Sequence, residues 1–189
     1  MESYGYEEIE VIRGANGQLT GVGNAAGTIN YVRKRPTNEN EGEVSLILGS
    51  DDLKRLQADY SFLMTDSGSW AARVIAVAED SGSYLDGLED DRTYISAVVD
   101  GQLTDNSTLT FGASYQDANS DGVMWGGLPL AYADGTQADF DVSTSPTQDW
   151  TMWDTLNINA FIEYAYTFDN HWAVPDTHLT LPPKRTERR

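Results

Sequence analysis

Six residues near the start of the chain have the spacing of a phosphate cradle. Gly21, Val22, Gly23, Asn24, Ala25 and Ala26 satisfy G-x-G-x-x-A, the relaxed dinucleotide motif. Its chemistry needs a buried strand running into the first glycine and a helix whose N-terminal amides face the pyrophosphate. Neither flank supplies them. Upstream, ANGQLT (15–20) is turn chemistry; downstream, GTINYVRKRP (27–36) is β-branched, aromatic and stopped by proline, so it reads as a strand. The glycines are therefore not read as a nucleotide site. Other reactive groups are scarce. The chain has no cysteine, which excludes disulfides, thiolate metal sites and a Cys nucleophile. Its two histidines, His171 and His178, are too few for a His-ligated metal or a His-based triad. Only carboxylates abound: 30 Asp plus Glu against 12 Lys plus Arg give a net charge of -18 and a pI near 4.1. Such a surface repels nucleic acid and anionic lipid. It reads as a solvated acidic face, with Ca²⁺ binding in acidic loops as the alternative. No catalytic residue, resident cofactor or metal ligand set is assigned.

The elements that would position any site come from periodicity. TLTFGASYQ (108–116) puts Leu109, Phe111, Ala113 and Tyr115 on one face and Thr108, Thr110, Gly112, Ser114 and Gln116 on the other, a period of two. TLNINAFIEYAYTF (155–168) does the same, with Leu156, Ile158, Ala160, Ile162, Tyr164, Tyr166 and Phe168 in one row. RLQADYSFL (55–63) and RTYISAVVDGQL (92–103) follow suit, EVSLILGS (43–50) opens the series, and alternation weakens in SWAARVIAVAED (69–80). Several of these runs exceed the ordinary strand of about five or six residues.

The connections also alternate. TDSGS (65–69), TDNS (104–107) and DNHW (169–172) are tight turns, whereas DSGSYLDGLEDD (80–91) and segment 117–154 are long. Short turns on one side and long loops on the other describe an up-and-down barrel of the outer-membrane type. A soluble β-sandwich or lipocalin-like barrel also alternates, but it buries its apolar row. Here the polar faces carry small and amide residues suited to a wetted lumen. Aromatics such as Tyr60, Trp70, Tyr115 and Tyr164 near strand ends match interfacial girdles. The pattern favours an all-β, partial transmembrane antiparallel β-barrel over the soluble alternative. No run of 18 apolar residues suggests a membrane helix, and the acidic N-terminus MESYGYEEIE shows no signal peptide.

The opening segment YEEIEVIRGANGQLTGVGNAAGTINYVRKRP resembles the end of the plug domain of TonB-dependent outer-membrane receptors, especially ferric-siderophore receptors. The matching residues run in order: Ile9, Glu10, Val11, Ile12, Arg13, Gly14, Leu19, Gly21, Gly23, Gly27, Ile29, Asn30, Val32, Lys34, Arg35 and Pro36. Ala15 stands where proline is usual, Thr20 where an aromatic is usual and Ala26 where a glycine is usual. The resemblance covers residues 4 to 172. It implies a plug end over 1–36, with Arg13, Gly14, Gly21, Gly23, Gly27, Asn30, Arg35 and Pro36 as motif positions, then the first barrel strands over 37–172. It also implies Arg13 pairing with wall carboxylates.

By the same resemblance, a full-length member takes a ferric-siderophore from outside with its loops and plug apex, and imports it with energy delivered through TonB. Expected partners are then the ferric-siderophore, the TonB complex and outer-membrane lipid, with no nucleic acid and no covalent chemistry. Gln18 and Thr20 at the apex, with Trp125, Tyr132, Trp150 and Trp153 in the long loop, are the candidate ligand contacts. A receptor for cobalamin, carbohydrate or another metal chelate is the alternative within this fold. About six strands of an expected ~22 are present, so the chain reads as part of a receptor. The stretch VPDTHLTLPPKRTERR breaks the alternation and carries four basic residues in its last six; THLTLP resembles a translated sequencing-library adapter, so 173–189 is expected to be a non-native tail.

Overall fold

A computed structural model of the chain describes residues 2–14, 26–37, 39–148 and 150–168, and the backbone of 173–188. The described residues form two antiparallel sheets. A two-stranded hairpin joins β1 (Tyr6–Arg13) to β2 (Gly27–Arg33), with Arg13 opposite Gly27 and Glu10 opposite Asn30. Then comes a seven-stranded meander in chain order: β3 (Glu41–Leu48), β4 (Lys54–Leu63), β5 (Trp70–Ser81), β6 (Glu89–Thr104), β7 (Ser107–Asp121), β8 (Met152–Thr167) and β9 (Ala173–Arg188).

The six alternating runs of the sequence correspond to β3 through β8. Strands β6, β7 and β8 reach 16, 15 and 16 residues, longer than the roughly 9–11 needed to cross a bilayer at a tilt. The backbone of 173–188 pairs with β8, with register shifts at Ile158/Ala160 and Tyr164/Tyr166. Successive turns alternate between two ends. At one end, Met64 N donates to the Trp70 carbonyl across the β4–β5 turn, and β6 passes to β7 through Asp105 and Asn106. At the other, the links 49–53, 82–88 and 122–151 are tied together. Gly82 N donates to Asp51 O, Asp86 N to Ser143 O, and Ser143 Oγ to the Asp86 carboxylate.

The decisive feature is which face is buried. Asp59, Ser61, Ser96, Thr110 and Gln116 are buried, while Val44, Leu46, Leu56, Val74, Ile95, Phe111, Ile158 and Ile162 are exposed. A soluble sandwich buries the apolar row; this wall buries the polar one and turns the apolar row outward, the arrangement of a barrel in lipid. Strand β5 departs from clean alternation for a visible reason. Its outward row, Val74, Ala76 and Ala78, is apolar, and its inward Ile75 and Val77 are apolar too, packing with Tyr94 of β6 against Tyr4. That inner apolar patch seats the N-terminal segment, and a side chain has no room at its centre. A Cβ on Gly5 would overlap the Tyr94 ring.

Candidate functional site

The segments on either side of the hairpin lie against the inner wall, held by three groups of ion pairs that rest on strand register. At the first level, Arg55, Glu79 and Arg92 stand directly opposite one another on β4, β5 and β6. The Glu2 carboxylate, 1% exposed, closes this row. Arg55 Nη2 donates to its Oε1 at 2.7 Å and Nη1 to its Oε2 at 3.0 Å. Arg55 Nη1 also donates to Glu79 at 2.6 Å. Arg92 Nη1 lies 3.7 Å from Glu2 and 3.5 Å from Glu79. Tyr4 N donates to Glu2 Oε1 at 2.9 Å, and Glu2's own amide donates to Gln116 Oε1 at 3.1 Å. Burial works to raise the Glu2 carboxyl; the hydrogen bonds from Arg55 and Tyr4 and the charges of Arg55 and Arg92 outweigh it and hold it below its ordinary value of 4.5.

At the second level Asp59 accepts a two-pronged bond from Arg73, at 2.7 and 2.8 Å, and one from Lys34 Nζ at 2.9 Å. The Lys34 ammonium also sits 3.9 Å from the centre of the Tyr4 ring, so it is held by charge on one side and by π electrons on the other. Its backbone amide donates to Gly5 O at 3.2 Å.

The third level is a second cross-strand row: Asp100, Thr110 and Glu163 face one another on β6, β7 and β8. Arg35 spans all three. Its Nε and Nη2 donate to the two oxygens of Asp100 at 3.0 Å each, Nη1 donates to Glu163 at 3.3 Å, and Nη2 also donates to Thr110. Arg73 Nη1 donates to the Arg35 carbonyl at 2.9 Å. One residue thus reaches four successive strands, β5 to β8, using the planar fork that lysine lacks. Just before it, the Arg33 guanidinium lies 4.5 Å from the Phe161 ring centre. Phe161 in turn packs over Gly112, where a Cβ would stand 2.7 Å from the ring and 2.8 Å from the Ala97 carbonyl oxygen.

The other sequence-predicted residues are distributed as follows. Asn30 donates to Glu10 at 2.7 Å across the hairpin. Gly14 turns the chain at φ +95 and donates to Ala26 O, and Gly27 at φ +155 approaches the Ile12 carbonyl. Pro36 lines a cleft beside Arg35 with Asp100 and Thr110. Arg13 ends β1 and carries no ion pair among the described residues; Lys34 and Arg35 meet the wall carboxylates instead. Gln18, Thr20, Gly21 and Gly23 lie outside the described residues. The structure brings Trp125 of the long link against Trp153 at the start of β8, ring centres 4.8 Å apart at 28°. Tyr132, by the Ala131–Gln137 bridge, and Trp150 stand exposed.

No family model matches the chain, but relatives do. The ferripyoverdine receptor of Pseudomonas aeruginosa is 34% identical over 168 residues, 88% of this chain and 21% of that protein. The ferric-pyoverdine 358 receptor of Pseudomonas putida is 34% identical over 86% of this chain and 19% of its own length. The crystal structure of the ferripyoverdine receptor of the outer membrane of Pseudomonas aeruginosa, bound to ferripyoverdine, superposes with a TM-score of 0.88. It is 33% identical and covers 94% of this chain and 24% of its own. The chain belongs to the TonB-dependent outer-membrane siderophore receptors. It spans about a fifth of the length of the curated relatives it matches.

As in other TonB-dependent receptors, the hairpin is part of the plug and the seven-stranded sheet is part of the barrel wall. The outward apolar row is of the kind that a barrel wall turns to lipid. The residues that join the two parts of this receptor, Glu2, Arg55, Arg73, Arg92, Asp59, Asp100 and Glu163, are not among those the sequence singles out. A signal for most of them does exist in the alternation: Arg55, Asp59, Arg92, Asp100 and Glu163 occupy the polar parity of their strands, whereas Arg73 shares its row with Ile75 and Val77.

Proposed function

We propose that this chain forms the plug end and the first wall strands of a receptor that binds a ferric siderophore of the pyoverdine type outside the cell and imports it. The observation that carries this reading is a polar-in, apolar-out wall with a plug hairpin whose flanking residues Glu2, Lys34 and Arg35 are ion-paired to its inner face, on a sequence 34% identical to a ferripyoverdine receptor. Import of an intact chelate makes and breaks no covalent bond, so the chain acts by binding and by rearranging, not by catalysis. The plug end occupies 1–36 and the wall begins at 37. Energy comes through TonB, whose contact segment lies elsewhere in a full-length receptor.

Ligand contact falls to the external link and the plug apex. Trp125 stacked on Trp153, with Tyr132 and Trp150 exposed near them in sequence, offers rigid aromatic area on an adaptable loop rich in glycine. Gln18 and Thr20 take the apex by their place in the motif, Thr20 where an aromatic is usual. The test is a full-length receptor expressed in an iron-starved strain that lacks its own pyoverdine receptor. Uptake of ferripyoverdine, lost on changing Trp125 and Trp153 together to alanine, is the expected result. Failure to bind ferripyoverdine, with binding of a cobalamin or a carbohydrate instead, overturns the siderophore assignment while leaving the fold untouched.

A further inference from the structure

The row that receives Glu2 is built to hold a carboxylate from inside the lumen. Arg55 and Arg92 project from β4 and β6 with Glu79 between them, so the wall alone carries two positive charges against one negative. Glu2 supplies the missing anion, and it comes from the plug, the part that must move for a chelate to pass. Removing it strips Arg55, 14% exposed while Glu2 is seated, and Arg92 of their shared anion and breaks the charge-assisted bonds that hold it. Release of the plug is therefore opposed at this point unless another anion takes the place of Glu2. The surroundings suit one. A cavity of about 360 Å³, lined by Glu2 itself and by Ser114, Gln116, Thr155, Asn157 and Asn159, adjoins the row. It offers amide and hydroxyl groups and admits a carboxylate arm, though not a whole chelate. Arg92 Nε is enclosed without a hydrogen-bond partner among the described residues, so this guanidinium has donor capacity that the seated plug leaves unused.

We propose that Arg55 and Arg92 form a carboxylate exchange site on the transport path, filled by Glu2 while the plug is seated and by a carboxylate arm of the passing ferric chelate when the plug moves. This rests on the import reading above and deepens it. The site couples cargo to plug release, because a chelate bearing a free carboxylate offsets the charge that departure of Glu2 uncovers, and a neutral chelate does not.

The test uses the full-length receptor in iron-starved cells and two probes: ferripyoverdine with a free side-chain carboxylate and the same chelate with that group converted to a carboxamide. Radioactive iron uptake is normalised to receptor in the outer membrane and expressed as the acid-to-amide ratio. Arg92→Gln lowers the ratio roughly tenfold, the worth of about one charge-assisted hydrogen bond, and Arg92→Lys restores most of it. Glu2→Gln, which keeps both guanidinium groups but leaves plug departure no charge to uncover, raises uptake of the amide chelate above that of the unchanged receptor. Equal loss of both chelates in Arg92→Gln, with no gain of amide uptake in Glu2→Gln, makes the row a structural clamp and overturns the exchange site. A wild-type receptor that imports neither probe fails the import reading instead, and the exchange site falls with it.

Discussion

Glu2 is a carboxylate enclosed by protein and kept ionised by two guanidinium groups, and that state sets a pH dependence with a definite sign. Its carboxyl is held below the ordinary value of 4.5. A group whose folded value is lowered contributes stability above its unfolded value and loses it as pH falls through the folded one. The Glu2 contribution to plug seating is therefore complete above about pH 4.5 and disappears on further acidification. In thermal scans of the detergent-solubilised full-length receptor, the plug transition of wild type falls more steeply below this point than that of Glu2→Gln. Equal slopes would remove Glu2 from the seating of the plug. Gly5 makes a steric prediction beside it. Gly5→Ala drives a methyl group into the Tyr94 ring and costs about 1–3 kcal/mol; adding Tyr94→Phe, which deletes the nearest atom, recovers part of it in the same scan. At this scale the sequence discloses the motif residues Lys34, Arg35 and Pro36 but not their partners. Asp100 and Glu163 are far apart in the chain, and only the register of β6, β7 and β8 makes them neighbours.

Among the elements, the alternating strands are legible because each has an apolar outer face and a polar inner one, which writes a period of two into the sequence. Where that contrast fails, legibility fails with it. Strand β5 meets lipid through Val74 and the plug through Ile75 and Val77, so both its faces are apolar and its pattern blurs. Strand β9 lies in a stretch holding Pro175, Pro182 and Pro183, residues that give up a ladder donor each, and its pairing with β8 slips twice. The linker after β2 owes its position to Arg35, which neutralises two carboxylates on strands that β7 separates. Arg35→Ala leaves Asp100 and Glu163 facing the lumen without it, a loss of about 1–3 kcal/mol given the partial exposure of this group. The expected outcome in the full-length receptor is faster protease cleavage between residues 36 and 41. Arg35→Ala combined with Asp100→Asn and Glu163→Gln restores slower cleavage, because the repulsion goes when the charges do; cleavage as fast as in the single variant would show that Arg35 acts through packing alone.

For the whole molecule, the inverted wall decides which solvent each face requires. The sheet as described has β3 and β9 at its edges, and unpaired strand edges find no hydrogen-bond partners in lipid. Expressed by itself, the chain is expected to aggregate or to need denaturant, and a monodisperse water-soluble monomer with a sharp melting transition would contradict the membrane assignment. The outer face gives a finer test, because it separates a lipid-facing wall from a merely exposed one. Ile95 lies mid-strand on β6 and points outward between the buried, inward-facing Tyr94 and Ser96, while Asp105 lies in the tight turn at the end of the same strand. In water an arginine at either position is harmless. In a bilayer the arginine at the mid-strand position costs about 2–4 kcal/mol and the one at the turn close to nothing. In the full-length receptor, Ile95→Arg should therefore lower the fraction assembled in the outer membrane, read from heat-modifiable mobility on a gel, while Asp105→Arg leaves it unchanged. Equal tolerance of the two would mean that the apolar row does not face lipid, and the outer-membrane assignment of this wall would have to be given up.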